Sequence, residues 1–378
     1  MNALMRHLLA PLALLACALA AADAPIVDGE QRERILSLGP WPPNVQPDPS
    51  NRVSGHPAAI ALGSRLFSSP RLAGEAGIRC ATCHEQWRSF VDAKPTGTGV
   101  APGTRNTLTL LNVRTHRWFG WDGANDSLWA QSIRPMLDPR EMKSDPEHVA
   151  ALMRRDPELV QAYELAFGSA LPADDEAVLA DVGKALAAYE ETLISGRTPF
   201  DDFRDAVERN DARAAARYPA AARRGLALFV GRGQCVSCHA GPTFTDNDFH
   251  RSLIGDGRDA GRRDGLVALR TSPFNLVSRF NDDATASTAA RTRAASTEAP
   301  DTQRGAFRTP GLREVAATGP YMHDGSVANL CEALRPHAEP VPAQPLTPDE
   351  RRDLVAFLLT LGVEAEPPFV DAQTLRCH

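Results

Sequence analysis

The sequence predicts a mainly α protein built as two lobes, and three observations carry that prediction. Apolar residues recur at helical spacing in several segments, and continuous β patterns are scarce. The motif C-x-x-C-H occurs twice, at Cys80-Cys83-His84 and at Cys235-Cys238-His239. The motifs lie far apart in the chain, so each centres its own domain. The expected boundaries are 1–24 for a leader, 25–200 for the first domain and 201–378 for the second. A chain of 378 residues has ample core for both.

The elements follow in order. In MNALMRHLLAPLALLACALAAADA, Arg6 precedes an apolar run from Leu8 to Ala20 that is too short to span a bilayer. It reads as a secretory signal peptide cleaved after Ala20 or Ala22. Leu15-Ala16-Cys17 offers a competing lipoprotein reading, with Cys17 acylated. Either reading sends the mature chain to the periplasm. Residues 39–58, rich in proline, form an extended lead-in, and a short amphipathic helix over 58–67 precedes the first motif.

Residues 146–168 and 174–195 are expected to be helical. In the second of these, Val178, Leu179, Val182, Leu186 and Leu193 share a face, with Asp174 as N-cap and Gly196 as the stop. A helix over 220–230 leads into the second motif. Residues 281–304 are small and polar and are read as a mobile loop. Thr347-Pro348-Asp349-Glu350 supplies a cap, an N1 proline and an N3 glutamate. Leu354, Val355, Phe357, Leu358 and Leu361 then make an amphipathic helix stopped by Gly362.

With 43% hydrophobic and 23% charged residues and a net charge of −6, no basic field favours nucleic acid. Of the seven cysteines, Cys17 lies in the leader and four in the motifs. Cys331 and Cys377 either pair in an oxidising compartment or remain two thiols, with Cys331 buried on a helix.

Two cysteines a short turn apart can capture haem vinyl groups as thioethers, and the adjacent histidine then reaches the iron. Zinc would need four convergent ligands, which motifs so far apart do not offer. The reading is therefore two covalently bound haem c groups with His84 and His239 as proximal ligands, in two cytochrome c-like domains. An electron carrier needs little chain per haem, so the intervening segments carry the discrimination.

Those segments are RNTLTLLNVRTHRWFGWDG (105–123), LWAQSIRPMLDPREM (128–142), CVSCHAGPTFTDNDFH (235–250) and GAFRTPGLREVAATGPYMHDGSV (305–327). Together they resemble bacterial dihaem cytochrome c peroxidases and the related MauG-type enzymes, in the family's order. The resemblance implies that Trp121 relays electrons between the haems. It implies that Gln131, Pro135 and Glu141 belong to the distal pocket of the first haem. Asn106, with Thr271 and Pro273, would bind an interdomain calcium ion.

The chemistry agrees with those roles. A carboxylate above an open iron site can carry a proton from the inner to the outer oxygen of hydrogen peroxide, while an amide orients the molecule. Each residue also has an ordinary reading. Glu141 could be a solvated loop carboxylate, Gln131 an exposed helix residue, and Trp121 or Trp129 a core aromatic. His116 and Trp118 read as structural.

Two departures from the family concern the outer iron ligands. Many relatives carry a capping histidine after the first motif, but residues 85–104 contain neither histidine nor methionine. A pentacoordinate, high-spin first haem that needs no reductive activation follows. At the second haem, Gly305 stands where the family's peroxidases place a methionine. The remaining candidates are Tyr321, as in tyrosine-ligated MauG-type enzymes, Met322 or His323, or no protein ligand.

The expected activity is peroxide reduction at the first haem, with electrons arriving through the second from a small cytochrome c or cupredoxin. The alternatives are MauG-type oxidation of side chains on a partner protein, or a non-enzymatic dihaem electron carrier. The resemblance also suggests a homodimer.

Overall fold

The computed structural model describes residues 26–74, 77–283, 301–338, 344–364 and 366–377. The expected leader, Cys17 and most of the 281–304 segment lie outside the described residues. The longer helices are α1 (Gly29–Leu36), α2 (Pro57–Phe67), α3 (Leu128–Leu137), α4 (Pro146–Arg155) and α5 (Pro157–Phe167). They continue with α6 (Asp175–Glu190), α7 (Pro199–Glu208), α8 (Ala220–Val230), α9 (Arg262–Thr271) and α10 (Pro348–Leu359). One antiparallel ribbon pairs β1 (Phe249–Arg251) with β2 (Ala306–Arg308), in the register His250 to Phe307. Among the described residues no helix is long and apolar enough to cross a membrane.

Helix α6 is the axis of the first core. Its Val178, Leu179, Val182 and Leu186 are fully buried against α2, α3 and α4. Asp174 caps it as expected, accepting from the Glu176 amide, but the helix ends at Glu190, short of Leu193 and Gly196. The single helix expected over 146–168 is two. Asp156 ends α4 and caps α5 by accepting from the Glu158 and Leu159 amides, with Pro157 at the first helical position. A proline there lacks the donor that a continuous helix would need.

The second core gathers α7, α8 and α10 around Phe200, Phe229, Phe244 and Phe357, whose rings meet edge-on or tilted. Helix α10 opens with the reciprocal Thr347–Glu350 capping box read from sequence. In each core one helix crossing depends on a glycine. A Cβ at Gly63 would collide with the Ala185 carbonyl, and one at Gly225 with the Asp353 carbonyl.

Chain order and spatial division differ at two places. Ile35 and Leu38 precede the first motif yet pack in the second core, while Phe274 and Phe280 follow the second motif yet pack in the first. The two cores therefore exchange segments, so neither is assembled from one continuous half. Cys331 and Cys377 form a disulfide with Cα atoms 5.2 Å apart, joining the C-terminal segment to the helical turn Leu330–Ala333.

Candidate functional site

The two C-x-x-C-H segments are built alike. In each, the cysteines sit on a short helical turn and form no disulfide. His84 Nδ1 donates to the Phe90 carbonyl and His239 Nδ1 to the Phe244 carbonyl, both at 3.1 Å. Phe90 (φ 60°) and Phe244 (φ 57°) are both left-handed, which turns the chain back beneath its own histidine. With Nδ1 engaged, Nε2 keeps its lone pair for a metal.

Burial lowers the pKa of His84, and burial followed by the neighbouring His337 lowers that of His239 to about 4. Both imidazoles are thus neutral, as ligation requires. Burial, with nearby carboxylates, pushes the Cys80 thiol up to about 12, and burial pushes Cys235 up to about 11. These settings disfavour thiolates and suit neutral thioethers.

A cavity of ≈ 350 Å³ opens beside the second motif, lined by Cys235, Cys238, His239, Trp121, Arg308 and Tyr321 among others. Arg308 is 2% exposed, and burial alone lowers its pKa to about 10, with no carboxylate among the described residues offsetting it. A buried guanidinium without a countercharge is costly, and a haem propionate would supply one. Cavity, thiols, histidine and arginine therefore fit a covalently attached haem. Cys238, Asp246 and His250 converge, but Cys238 belongs to the attachment motif, and His250 Nε2 meets Asp246 at 2.7 Å.

In the first core, α3 carries Gln131 and Pro135 one turn apart on one face. The chain then doubles back, with the Met142 amide donating to the Pro135 carbonyl and that of Ser144 to the Met136 carbonyl. That fold positions Glu141. Its side chain is 41% exposed with Arg134 at 3.7 Å, and burial raises its pKa despite that guanidinium. Its charge reaches both Cys80 and Cys83, where after burial it helps to raise the thiol pKa values.

The segment lacking histidine and methionine is anchored to the same turn. Val100 donates to the Glu141 carbonyl and Ala101 to that of Arg140, both at 2.9 Å. Gln131 Oε1 accepts from Asn125 Nδ2 at 2.8 Å. Sequence reasoning missed Glu190 at the end of α6. It is 6% exposed, accepts from Ser132 Oγ at 3.0 Å, and burial pushes its pKa up to about 8.

Trp121 lies where the cores meet, 8% exposed and lining the second cavity. Its indole Nε1 donates to the Asn106 carbonyl at 2.9 Å, and its own carbonyl accepts from the Arg308 amide at 2.8 Å. Asp122 and Asp259 grip Arg105 at 2.5 and 2.8 Å. Arg262 donates to the carbonyls of Asp122 and Gly123. A Cβ at Gly123 (φ 63°) would strike Arg262 and Phe249, and one at Gly265 would strike the Asp122 carbonyl. The W-D-G tripeptide is therefore a packed seam. A Cβ at Gly120 would lie 3.6 Å from Gln131 Oε1, so the same loop also approaches that side chain.

The other expected site residues are placed as follows. Asn106 Nδ2 donates to the Lys94 and Pro95 carbonyls, and Thr271 Oγ1, two residues before Pro273, to those of Val267 and Ala268. Trp118 lies under the Arg262 guanidinium at 4.3 Å, and His116 lines the second cavity. Tyr321 lines it too, its hydroxyl donating to the Val315 carbonyl at 3.2 Å. His323 stacks on Phe307 with ring centroids 3.8 Å apart. His337, which no local pattern marked, also faces this cavity.

A largely helical chain with a matched pair of haem-attachment segments and a tryptophan seam between its cores has the build of a dihaem oxidoreductase. Comparison with known proteins agrees. The family model for di-haem cytochrome c peroxidase matches residues 57–209. The methylamine utilization protein MauG of Methylorubrum extorquens is 34% identical over 320 residues, covering 82% of this chain and 79% of that protein. Cytochrome-c peroxidase IdrP1 of Pseudomonas sp. strain SCT is 29% identical, covering 89% and 88%. The structure of the dihaem peroxidase BthA from Burkholderia thailandensis shares the fold, with a TM-score of 0.66 at 23% identity over 88% of this chain and 91% of that one. The chain belongs to the dihaem cytochrome c peroxidase and MauG family, an oxidoreductase family that implies two c-type haems.

Proposed function

We propose that the protein is an exported peroxidase that reduces hydrogen peroxide at its first haem. The first core, drawn mainly from residues 25–200, would form the peroxidatic domain, and the second, drawn mainly from residues 201–378 with the segment around Ile35 and Leu38, the electron-transfer domain. The observation that carries this reading is Glu141, a partly exposed carboxyl with raised pKa whose charge reaches Cys80 and Cys83, next to a loop that contains neither histidine nor methionine. Held by Cys80, Cys83 and His84, the haem would supply a redox-active iron to which peroxide could bind.

The chain's own residues manage the protons. Glu141 accepts the proton of the inner peroxide oxygen and returns it to the outer one. Arg134 holds that carboxylate in reach, and Asn125 fixes Gln131 so that its amide nitrogen is free to orient the substrate. Two electrons and two protons convert one peroxide to two waters. The electrons arrive from a small cytochrome c or cupredoxin and cross at Trp121. Calcium ligation by Asn106 with the Thr271–Pro273 backbone remains part of the proposal.

A second reading is oxidation of side chains on a partner protein. The 34% identity to a MauG and the glycine at position 305 favour it. Stopped-flow mixing of the as-isolated ferric protein with peroxide tests the shared step, and a requirement for prior reduction contradicts it. Turnover with a reduced cytochrome supports the peroxidase. Failure of that turnover, with a mass change in a protein encoded nearby, supports the second reading.

A further inference from the structure

The second cavity contains a histidine pair that the family resemblance did not announce. The rings of His239 and His337 have centroids 6.4 Å apart with planes inclined at 56°. A histidine–metal bond is about 2 Å and a ring nitrogen lies about 1.2 Å from the ring centre, so two imidazoles facing one iron have centroids about 6.3 Å apart. His337 Nδ1 donates to the Arg335 carbonyl at 2.9 Å, which leaves Nε2 with its lone pair. This is the arrangement His84 and His239 also use.

The backbone holds His337 in place. Its carbonyl accepts from the Leu253 amide at 2.9 Å, and Ala338 bridges Ser252. Ser252 in turn donates to the Gly305 carbonyl. Gly305 and His337 thus flank the same segment, Ser252–Leu253, and a Cβ built at Gly305 meets nothing within 4 Å. The position from which relatives extend a ligand is empty of side chain, and a histidine is presented from the neighbouring segment.

Met322 lines the same cavity, while three other side chains near it already have partners. The Tyr321 hydroxyl donates to Val315, the His323 ring stacks on Phe307, and His250 Nε2 is bound to Asp246.

We propose that His337 is the sixth ligand of the second haem, making that iron bis-histidine and low-spin. The assignment rests on haem attachment at Cys235, Cys238 and His239. Two neutral imidazoles give a lower potential than a histidine–methionine pair, which suits a site that yields electrons.

The test uses the full holoprotein. Haem content is determined first, and one haem or none per chain overturns the attachment reading and the ligand together. With two haems attached, low-temperature EPR of the ferric wild type should show one low-spin haem. His337→Ala should convert that signal to high-spin while both haems remain bound, and Tyr321→Phe should leave it intact. Persistence of the signal in His337→Ala, or its loss in Tyr321→Phe, overturns the assignment. Should the alanine variant fold poorly, His337→Met decides. A raised second-haem potential supports the ligand role and an unchanged one contradicts it.

Discussion

The two haem-attachment segments share a lower face and differ above it. Below, each has a neutral histidine tethered through Nδ1 to the carbonyl of a left-handed phenylalanine, Phe90 or Phe244. Opposite it, on the proposed reading, the first site uses Glu141 to move a proton and Gln131 to orient peroxide. The second offers His337, a nitrogen donor at ligand spacing, and the buried charge of Arg308. The difference teaches that the attachment motif sets only where a haem is held. On the proposed reading, what the opposite face presents divides chemistry from electron storage.

The sharpest break of that comparison is Glu141→Gln. It should slow peroxide reaction by about 100- to 10,000-fold, measured by stopped-flow on the ferric protein, with haem content and the second-haem spectrum unchanged. The pH profile sharpens it further. Burial raises the Glu141 pKa, so the proton-accepting form is lost at a higher pH than for an ordinary glutamate. The reaction rate should rise with pH through a midpoint above 4.5, and that inflection should vanish in the variant.

Glu190 tests the first pocket through stability. Its pKa is about 8 in the folded chain against 4.5 ordinarily, so the folded state holds a proton that the unfolded chain releases. Its stabilising contribution is present below pH 4.5 and is lost as pH rises through about 8. Glu190→Gln should flatten that decline in a pH series of denaturant unfolding and stabilise the protein at alkaline pH by up to about 5 kcal/mol.

The seam between the sites yields smaller effects. Gly265→Ala places a methyl against the Asp122 carbonyl and should cost about 1–3 kcal/mol, read as a lower Tm. Trp121→Phe removes the donor to Asn106 and the more oxidisable ring. Oxidation of the second haem after peroxide addition should slow by about tenfold, equivalent to 1.4 kcal/mol in the barrier, while the first reaction keeps its rate.

Local chemistry made much of this legible in the sequence. The Thr347–Glu350 box, the Asp174 cap and the 220–230 helix need only neighbouring residues, and they appear where the pattern puts them. Helix α7 carried a similar signature in Thr198-Pro199-Phe200-Asp201 and went unread, although its capping box is complete. Periodicity carried 146–168 across Asp156-Pro157, where the proline starts a new helix. Glu190 and His337 had no local signal. One is defined by contact with Ser132 on α3, the other by a neighbouring histidine ring from far away in the chain. Such groups become recognisable only when tertiary structure brings their partners together.

One measurement weighs the two sites together: low-temperature EPR of the ferric holoprotein as isolated. One high-spin and one low-spin haem in equal amounts are expected, the first from the pocket of Glu141 and the second from His239 with His337. Two low-spin haems would contradict the open first site, and two high-spin haems would contradict the closed second one.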